Sequence, residues 1–213
     1  MKAAVIGGAN VDILGRSIRA LRREDSNPAR LSTNCGGVAR NIAENLRRLG
    51  AEVEFAGAIG DDGFGTLLSE GLAGTGVRSR LIRRPGVGTG LYLALFEPSG
   101  KLFVAVNDME AVESLGPADV EGLEDFFAAA DLVIVDANLR PDTLQAVARA
   151  AGERPLMADA VSAAKAGRLA GILPRLSILK ANRAEAEVLA GREAGTGERL
   201  EDLCAALLGM GPG

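Results

Sequence analysis

The stretch Cys35-Gly36-Gly37-Val38-Ala39-Arg40-Asn41 places paired glycines at the start of an amphipathic helix. Apolar residues then recur at helical spacing up to a terminating glycine, at Val38, Ile42, Leu46, Leu49 and Gly50. Paired glycines let the backbone approach a ligand closely, and the N–H groups of a helix start favour the electron-rich oxygens of an anion or a sugar. Two interpretations follow: a ligand-binding turn, or a tight turn with an asparagine in the first helical turn.

Outward from this turn, short apolar runs alternate with helical segments. The runs typical of buried strands are 3–6, 53–59, 132–135, 156–158 and 176–179. The segments with helical periodicity are 38–49, 65–73, 118–129, 141–151 and 183–190. Strands that alternate with helices predict an α/β domain whose parallel sheet is covered on both faces.

Residues 90–107 break this alternation. Two apolar runs, 90–96 and 101–107, flank Glu97-Pro-Ser-Gly100 and predict a β-hairpin rather than a βαβ crossover. Both faces of this hairpin are apolar, so we expect a ligand, the main domain or a partner subunit to cover it. A lid that also serves in a dimer contact meets that need.

Composition excludes several classes of function. The chain has 213 residues, of which 47% are hydrophobic and 3% aromatic, and its net charge is −4. This length suffices for one globular domain with its own core. The lack of a basic patch and the scarcity of aromatic residues argue against nucleic-acid binding. The sequence has neither an apolar run of about 18 residues nor a signal peptide, so we expect a cytoplasmic protein without a membrane partner.

The chemistry of the side chains narrows the reaction types. Histidine is absent from the sequence, which excludes a Ser-His-Asp triad, a His-ligated metal and a histidine general base. Acid–base chemistry must therefore fall to carboxylates or lysines. Cys35 and Cys204 form no metal-ligand pattern, and we expect both to be reduced thiols.

Polar residues follow the predicted strands. These groups are Gly7-Gly8-Ala9-Asn10-Val11-Asp12, Gly60-Asp61-Asp62-Gly63, Asp136-Ala137-Asn138, Asp159 and Lys180-Ala181-Asn182. Ligands of open parallel sheets bind beyond the carboxyl ends of the strands. Each group alone is typical of a helix cap or a turn, but together they indicate a binding edge. A nicotinamide site is disfavoured, because Gly7-Gly8 lacks the third glycine of G-x-G-x-x-G.

Four ordered motifs carry a resemblance to the ribokinase-like (PfkB) carbohydrate kinases. They are Ala3-Ala-Val-Ile-Gly-Gly-Ala-Asn-Val-Asp12, Gly36-Gly-Val-Ala-Arg-Asn41 leading to Leu49-Gly50, Ala58-Ile-Gly-Asp-Asp-Gly-Phe-Gly65 and Lys180-Ala-Asn-Arg-Ala-Glu185. Three further stretches are similar to the subgroup that acts on pseudouridine: Asp25-Ser-Asn-Pro28, Val104-Ala-Val-Asn-Asp-Met109 and Asp159-Ala-Val-Ser-Ala-Ala-Lys165. The resemblance implies a three-layer α/β/α fold with a mostly parallel sheet and a small β-hairpin lid, whose strands lie around 12–35 and 88–109.

The implied activity is phosphorylation of the 5′-hydroxyl of pseudouridine by ATP with Mg²⁺, with a monovalent cation as a further possible cofactor. By the resemblance, Asp12 accepts hydrogen bonds from ribose hydroxyls, and loss of such a charge-assisted contact costs roughly 1.5–3 kcal/mol. The other residues implied in the sugar site are Asn10, Gly36, Gly37 and Asn41. The alternative role for Asp12 is that of an ordinary turn residue.

Other implied substrate contacts each have a plain structural alternative. Ser26 and Asn27 offer donors and acceptors to the base edge, although an Asp-Ser-Asn-Pro turn forms without a ligand. Asn107 closes over the nucleoside or merely ends a strand. Lys165 approaches phosphate or base oxygens, or else lies on a solvated helix face, as most lysines do.

Asn182 and Glu185 form the Asn-x-x-Glu element that in this family lies near Mg²⁺ and the ATP phosphates. The resemblance implies that Glu185 contacts the ion through water, since Mg²⁺ keeps several of its waters. The same spacing is a capping box at a helix start. Both roles are compatible, because a cap at the carboxyl edge of a sheet also faces the cleft.

The family also has a glycine-rich Gly-Ala-Gly-Asp element that supplies an anion hole and the general base. The sequence reaches Gly209-Met-Gly-Pro-Gly213 without it, so no catalytic base is assigned. We expect residues 1–213 to be the N-terminal portion of one domain of about 300 residues, with little activity alone. The alternatives are a non-catalytic nucleoside- or sugar-binding protein and a kinase of another sugar such as ribose. A homodimer through the lid is the expected assembly.

Overall fold

A computed structural model describes residues 1–192 and 199–211 of the chain. Its strands in chain order are β1 (Lys2–Ile6), β2 (Asn10–Ser17), β3 (Ala29–Gly36), β4 (Glu52–Gly60), β5 (Arg78–Arg84), β6 (Leu91–Phe96), β7 (Leu102–Asp108), β8 (Leu132–Asp136), β9 (Leu156–Asp159) and β10 (Ile178–Lys180). Its α-helices are α1 (Val38–Arg48), α2 (Gly63–Thr75), α3 (Glu110–Glu113), α4 (Pro117–Glu121), α5 (Glu124–Ala128), α6 (Pro141–Ala151), α7 (Ala163–Ala166), α8 (Arg183–Leu189) and α9 (Leu200–Leu208). A 3₁₀-helix spans Gly167–Arg175.

The main sheet is parallel and has the strand order β10-β9-β8-β1-β4-β5. Strand β1 lies near its centre, where Ala3 pairs with Val53 on one side and with Leu132 on the other. This arrangement confirms the predicted α/β fold. All of its carboxyl ends open toward one edge, which is the edge where the sequence carries its polar residues.

Two hydrophobic cores cover the faces of this sheet. One contains Phe126, Phe127 and Leu144 and lies on the side of α4, α5 and α6. The other contains Phe55 and Leu68 and lies beneath α1 and α2. Successive strand side chains point to opposite faces, so adjacent residues of β1 enter different cores. Burial of each such large apolar side chain contributes about 1.5–3 kcal/mol, which fixes the three layers.

A second, mixed sheet has the order β3-β2-β6-β7 and is called the lid sheet below. The predicted hairpin is present as the antiparallel pair β6 and β7. Strands β2 and β3 form a second antiparallel pair, and β2 joins β6 in parallel. The Val11 N–H donates to the Gly90 carbonyl at 2.8 Å, where both strands leave the main domain. The lid sheet thus grows directly from the carboxyl edge of the main sheet.

Three local predictions differ from the structure. The helix expected over 118–129 is broken into α4 and α5, with Gly122 at the C-cap of α4. The sequence patterns do not predict strand β5, because this edge strand contains four arginines instead of a continuous apolar run. One of them, Arg80, pairs with Glu54 and Asp125. The strand expected at 176–179 is present as β10, which is shorter and begins later in the sequence, at Ile178.

Two further observations concern membranes and thiols. Within the described ranges, every helix is too short or too polar to cross a lipid bilayer. Cys35 and Cys204 are both free thiols.

Candidate functional site

A cleft of roughly 410 Å³ lies between the lid sheet and the carboxyl edge of the main sheet. Its lining residues come from the lid sheet, from the start of α1 and from the segments that follow β7, β8 and β9: Asn10, Asp12, Gly37, Val38, Asn41, Tyr92, Asn107, Met109, Asn138, Val161, Ser162 and Lys165. The cleft therefore brings together six residues predicted to bind substrate, namely Asn10, Asp12, Gly37, Asn41, Asn107 and Lys165.

Asp12 on β2 is the carboxylate of this cleft. Asn10 Nδ2 donates to Asp12 Oδ1 at 2.6 Å, which orients the carboxylate. Burial raises the pKa of Asp12 above its ordinary 3.8, while the Asn10 hydrogen bond and the charge of Arg40 oppose that rise. Across the lid sheet, Asp12 is in register with Tyr92, and Tyr92 with Asn107. An acceptor, a phenol and an amide thus form one wall.

The paired glycines permit two close approaches. Gly37 has φ 100°, and a Cβ there would overlap the carbonyl oxygen of Gly8. A Cβ at Gly36 would lie 2.6 Å from Asp12 Oδ1. Gly36 does not itself line the cleft, but its lack of a side chain leaves room for the Asp12 carboxylate.

The first turn of α1 is capped by groups that are distant in the sequence. Its N-cap, Gly37, has no side chain to accept a helix N–H. The carboxylate of Asp136, at the end of β8, accepts the Ala39 N–H at 2.8 Å instead. The Arg40 N–H donates to the Gly8 carbonyl at 3.2 Å. Two loops of the main sheet therefore fix the helix start that the sequence motif identifies.

Lys165 on α7 lies on the opposite wall from the lid sheet. Its Nζ donates to Asn138 Oδ1 at 2.7 Å. Burial and the neighbouring Arg168 lower the pKa of Lys165, whereas the charges of Asp136 and Glu113 oppose the decrease. Arg168 itself donates to Glu113 Oε1 at 2.8 Å. Lys165 is thus a half-buried donor aimed at the cleft rather than a solvated surface lysine.

Ser26 and Asn27 lie outside this cleft, in an exposed turn of the β2–β3 connection. Asn27 Oδ1 accepts the Arg22 N–H at 2.8 Å, and Asn27 Nδ2 donates to the carbonyl oxygens of Arg22 and Asp25. The Ser26 N–H donates to Asp25 Oδ1 at 2.7 Å. The polar groups of Asn27 stabilise the turn itself, as the plain structural alternative requires.

Asn182 and Glu185 form the predicted capping box at the start of α8. Glu185 N–H donates to Asn182 Oδ1 at 3.0 Å, and Asn182 donates to both carboxylate oxygens of Glu185 at 2.7 Å. The Glu185 residue is only 2% exposed. Each carboxylate oxygen keeps one further lone pair, which a water of a hydrated Mg²⁺ ion could use. In residues 1–192 and 199–211, no three acidic or Cys side chains converge as metal ligands.

Sequence reasoning missed Tyr92 and Met109 among the residues of the cleft. Tyr92 is the only tyrosine of the chain and reaches Asp12 through the β2–β6 pairing. That pairing joins segments about 80 residues apart, so local patterns do not reveal it. A lone tyrosine within a predicted lid strand was the available signal.

Comparison with known proteins agrees with this architecture. A family model described as pfkB family carbohydrate kinase matches residues 1–212. The chain is 34% identical over 188 residues to the pseudouridine kinase of Escherichia coli (strain K12), which covers 88% of this chain and 60% of that protein. The chain therefore spans less than two thirds of the length of that relative.

Two solved structures share the fold. A carbohydrate kinase from Agrobacterium tumefaciens superposes with a TM-score of 0.90 at 32% identity, over 99% of this chain and 67% of the other. A ribokinase from Arabidopsis thaliana, complexed with ribose and ATP, gives a TM-score of 0.82 at 22% identity, over 99% of this chain and 69% of the other. Because the family model spans nearly the whole sequence, the chain belongs to the pfkB family of carbohydrate kinases.

Proposed function

We propose that the protein phosphorylates the 5′-hydroxyl of pseudouridine with ATP, and that this chain supplies the nucleoside-binding cleft. The observation that carries the proposal is the charge pattern of the cleft. Among its described lining residues, only Asp12 and Lys165 carry charges, and the two charges cancel. A neutral ligand rich in hydroxyl and carbonyl oxygens suits such a site better than an anionic one.

The two arginines near the cleft are already paired with carboxylates. Arg40 pairs with Glu44, and Arg168 pairs with Glu113 at 2.8 Å. Asp136 is fully buried and accepts hydrogen bonds only from the N–H groups around it. A sugar phosphate would therefore meet one cation, Lys165, opposed by the carboxylates of Asp12 and Asp136, whereas a neutral nucleoside finds acceptors and donors without that repulsion.

The residues divide into two sets along the ligand. Asp12 and Asn10 accept and orient ribose hydroxyls, with Gly37 and Asn41 below them. Lys165 donates to a carbonyl oxygen of the base, and Asn107 closes from the lid sheet. A carboxylate that spans vicinal hydroxyls makes charge-assisted hydrogen bonds, which are about twice as strong as neutral ones. In the proposal, the turn of Ser26 and Asn27 meets the base edge through Ser26 when the lid sheet closes, because the amide of Asn27 already stabilises the turn.

We include ATP and Mg²⁺ in the proposal because the chain belongs to the pfkB family of carbohydrate kinases. The Arabidopsis thaliana ribokinase relative is complexed with ATP. In phosphoryl transfer the metal neutralises charge that develops on the phosphate oxygens. In this chain, Asn182 and Glu185 would hold the hydrated ion through water, as their mutual hydrogen bonds allow.

Isothermal titration of the 213-residue chain with pseudouridine, uridine, ribose and adenosine tests the substrate class. We expect pseudouridine to bind most tightly and ribose more weakly, since ribose lacks the base that Lys165 reads. Binding of ribose with no gain from the base would contradict the nucleoside assignment and favour a kinase of a simple sugar.

A non-catalytic nucleoside-binding protein is the second candidate, because every cleft residue described above serves binding. An ADP-release assay of the full-length gene product with ATP, Mg²⁺ and each of the same ligands separates the two functions, because residues 1–213 alone are expected to have little activity. Ligand-dependent ADP release that is greatest with pseudouridine supports the kinase. Tight pseudouridine binding without ADP release supports the binder.

We also propose that two copies associate through their lid sheets. Strand β7 is an edge strand, and its Leu102, Phe103, Val104 and Val106 are all more than 40% exposed. An exposed apolar edge strand is a surface that proteins normally cover. A second copy offers the same edge, so a two-fold contact would bury both at once.

A further inference from the structure

Asp136 is a buried anion that connects two sides of the cleft. It is 0% exposed, and its carboxylate accepts N–H groups from Gly8 at 3.2 Å, Ala39 at 2.8 Å and the Asn138 backbone at 3.1 Å. Asn138 Nδ2 also donates to it, at 2.9 Å. Burial raises the pKa of Asp136. Because all these partners are donors, however, only the ionised carboxylate satisfies them.

Asn138 connects Asp136 to Lys165 through the two ends of its side-chain amide. Its amide nitrogen is committed to Asp136, so its Oδ1 must face the other way, where it accepts Lys165 Nζ at 2.7 Å. The backbone carbonyl of Asn138 is also fixed, because it accepts Arg168 Nη1 at 2.9 Å. Asn138 is 7% exposed, and both ends of its amide are therefore occupied by protein groups.

We infer that Asp136 and Asn138 are positioning residues: they hold Lys165 at one place in the cleft and join it to the first turn of α1. The ammonium group has three donors, and Asn138 accepts one of them. The others keep a fixed direction toward the ligand. In this arrangement the wall that reads the base and the floor that holds the sugar move as one unit. The role of Lys165 toward a base rests on the proposed function, whereas the hydrogen-bonded chain does not.

A lysine ¹³Cε NMR titration tests the hydrogen bonds that join Asp136, Asn138 and Lys165, and it needs no ligand. The other lysines are Lys2, Lys101 and Lys180, so the spectrum is sparse, and Lys165→Arg assigns the signal. We expect Lys165 to titrate below its ordinary 10.5. Asn138→Leu removes an acceptor of the ammonium, and Asp136→Asn removes a nearby negative charge, so both should lower the Lys165 pKa further. Gln145→Leu makes the same amide-to-apolar change on the exposed face of α6 and should leave the Lys165 pKa unchanged.

The second arm compares ligands. Asn138→Leu should weaken pseudouridine binding about tenfold and change ribose binding less than twofold. A Lys165 pKa that is the same in wild type, Asn138→Leu and Asp136→Asn overturns the inference. Equal losses for pseudouridine and ribose also overturn it, because Lys165 would then not be positioned for the base. If Asn138→Leu fails to fold, Asn138→Ser is too short to reach Lys165 and provides the same comparison.

The two proposals fail differently. If the wild-type chain binds neither pseudouridine nor uridine, the proposed function is wrong. The Lys165 titration then still decides whether Asp136 and Asn138 position that lysine.

Discussion

Gly36 is the residue at which the smallest change acts most directly on the cleft. A Cβ there meets the end of the flexible Asp12 side chain rather than backbone. Gly36→Ala should therefore push the carboxylate away, leave the unfolding free energy within about 0.5 kcal/mol of wild type, and weaken nucleoside binding about tenfold. Titration calorimetry and urea unfolding measure the two effects.

Gly63→Ala is the matched control, because a Cβ at Gly63 finds nothing within 4 Å. It should change neither affinity nor stability by a comparable amount. Gly36→Ala that binds pseudouridine as tightly as Gly63→Ala would show that the Asp12 carboxylate does not contact the ligand.

The ionisation of Asp12 predicts how affinity depends on pH. The hydroxyl-binding form is the carboxylate, and burial raises its pKa above 3.8. Affinity should therefore be constant near neutral pH and fall on acidification at a pH above 3.8, earlier than for an exposed aspartate. Calorimetry between pH 7 and pH 4 measures this fall. The same decrease in Asp12→Asn would assign it to another group.

At the level of elements, the sequence predicts what local patterns specify. Strands β1, β4 and β8 and helices α1 and α6 follow from apolar runs and helical periodicity, and the β6–β7 hairpin follows from its turn. The four-stranded lid sheet does not, because β2 and β6 pair over a long sequence separation. Similarly, the motif predicts Asp12 and Asn41, whereas the hydrogen bonds that join Asp136, Asn138 and Lys165 depend on the segments after β8 and β9 meeting at one edge.

Helix α2 and the base of the lid sheet share one cap, Asp62. Its carboxylate accepts the Gly65 N–H at 2.7 Å, the Thr89 N–H at 2.8 Å and the Thr89 hydroxyl at 2.6 Å. Asp62→Ala should lower the unfolding free energy by about 1–2 kcal/mol at pH 7. The exposed neighbour Asp61, which pairs with Arg83 at 3.3 Å, is the control, and Asp61→Ala should cost less than about 0.5 kcal/mol.

The same cap gives a pH dependence with a defined sign. Burial opposes ionisation of Asp62, but the donors of Thr89 and Gly65 prevail and hold its pKa below 3.8. Its stabilising contribution is therefore present above pH 3.8 and is lost as pH falls through the lower folded-state pKa. Urea unfolding at pH 7 and pH 3 should show the gap between wild type and Asp62→Ala narrowing at acid pH. An unchanged gap would contradict the role of the ionised cap.

At the scale of the whole molecule, the exposed apolar edge of the lid sheet predicts association. Sedimentation equilibrium should give twice the 21.9 kDa mass of one chain at micromolar concentration. Val106→Glu, at a side chain that is 58% exposed on β7, should yield the monomer. Leu49→Glu introduces the same charge at an 84% exposed position of the main domain and should leave the dimer intact. A wild-type monomer throughout would contradict the lid contact.

In the proposed function, the cleft between the two sheets holds a neutral nucleoside through Asp12. Calorimetric titration of pseudouridine into the wild-type chain and into Asp12→Asn tests it most directly. We expect saturable binding to the wild type, weakened at least tenfold in Asp12→Asn, since loss of a charge-assisted contact costs roughly 1.5–3 kcal/mol. Equal affinity of the two chains, or no binding to a folded wild-type chain, would contradict it.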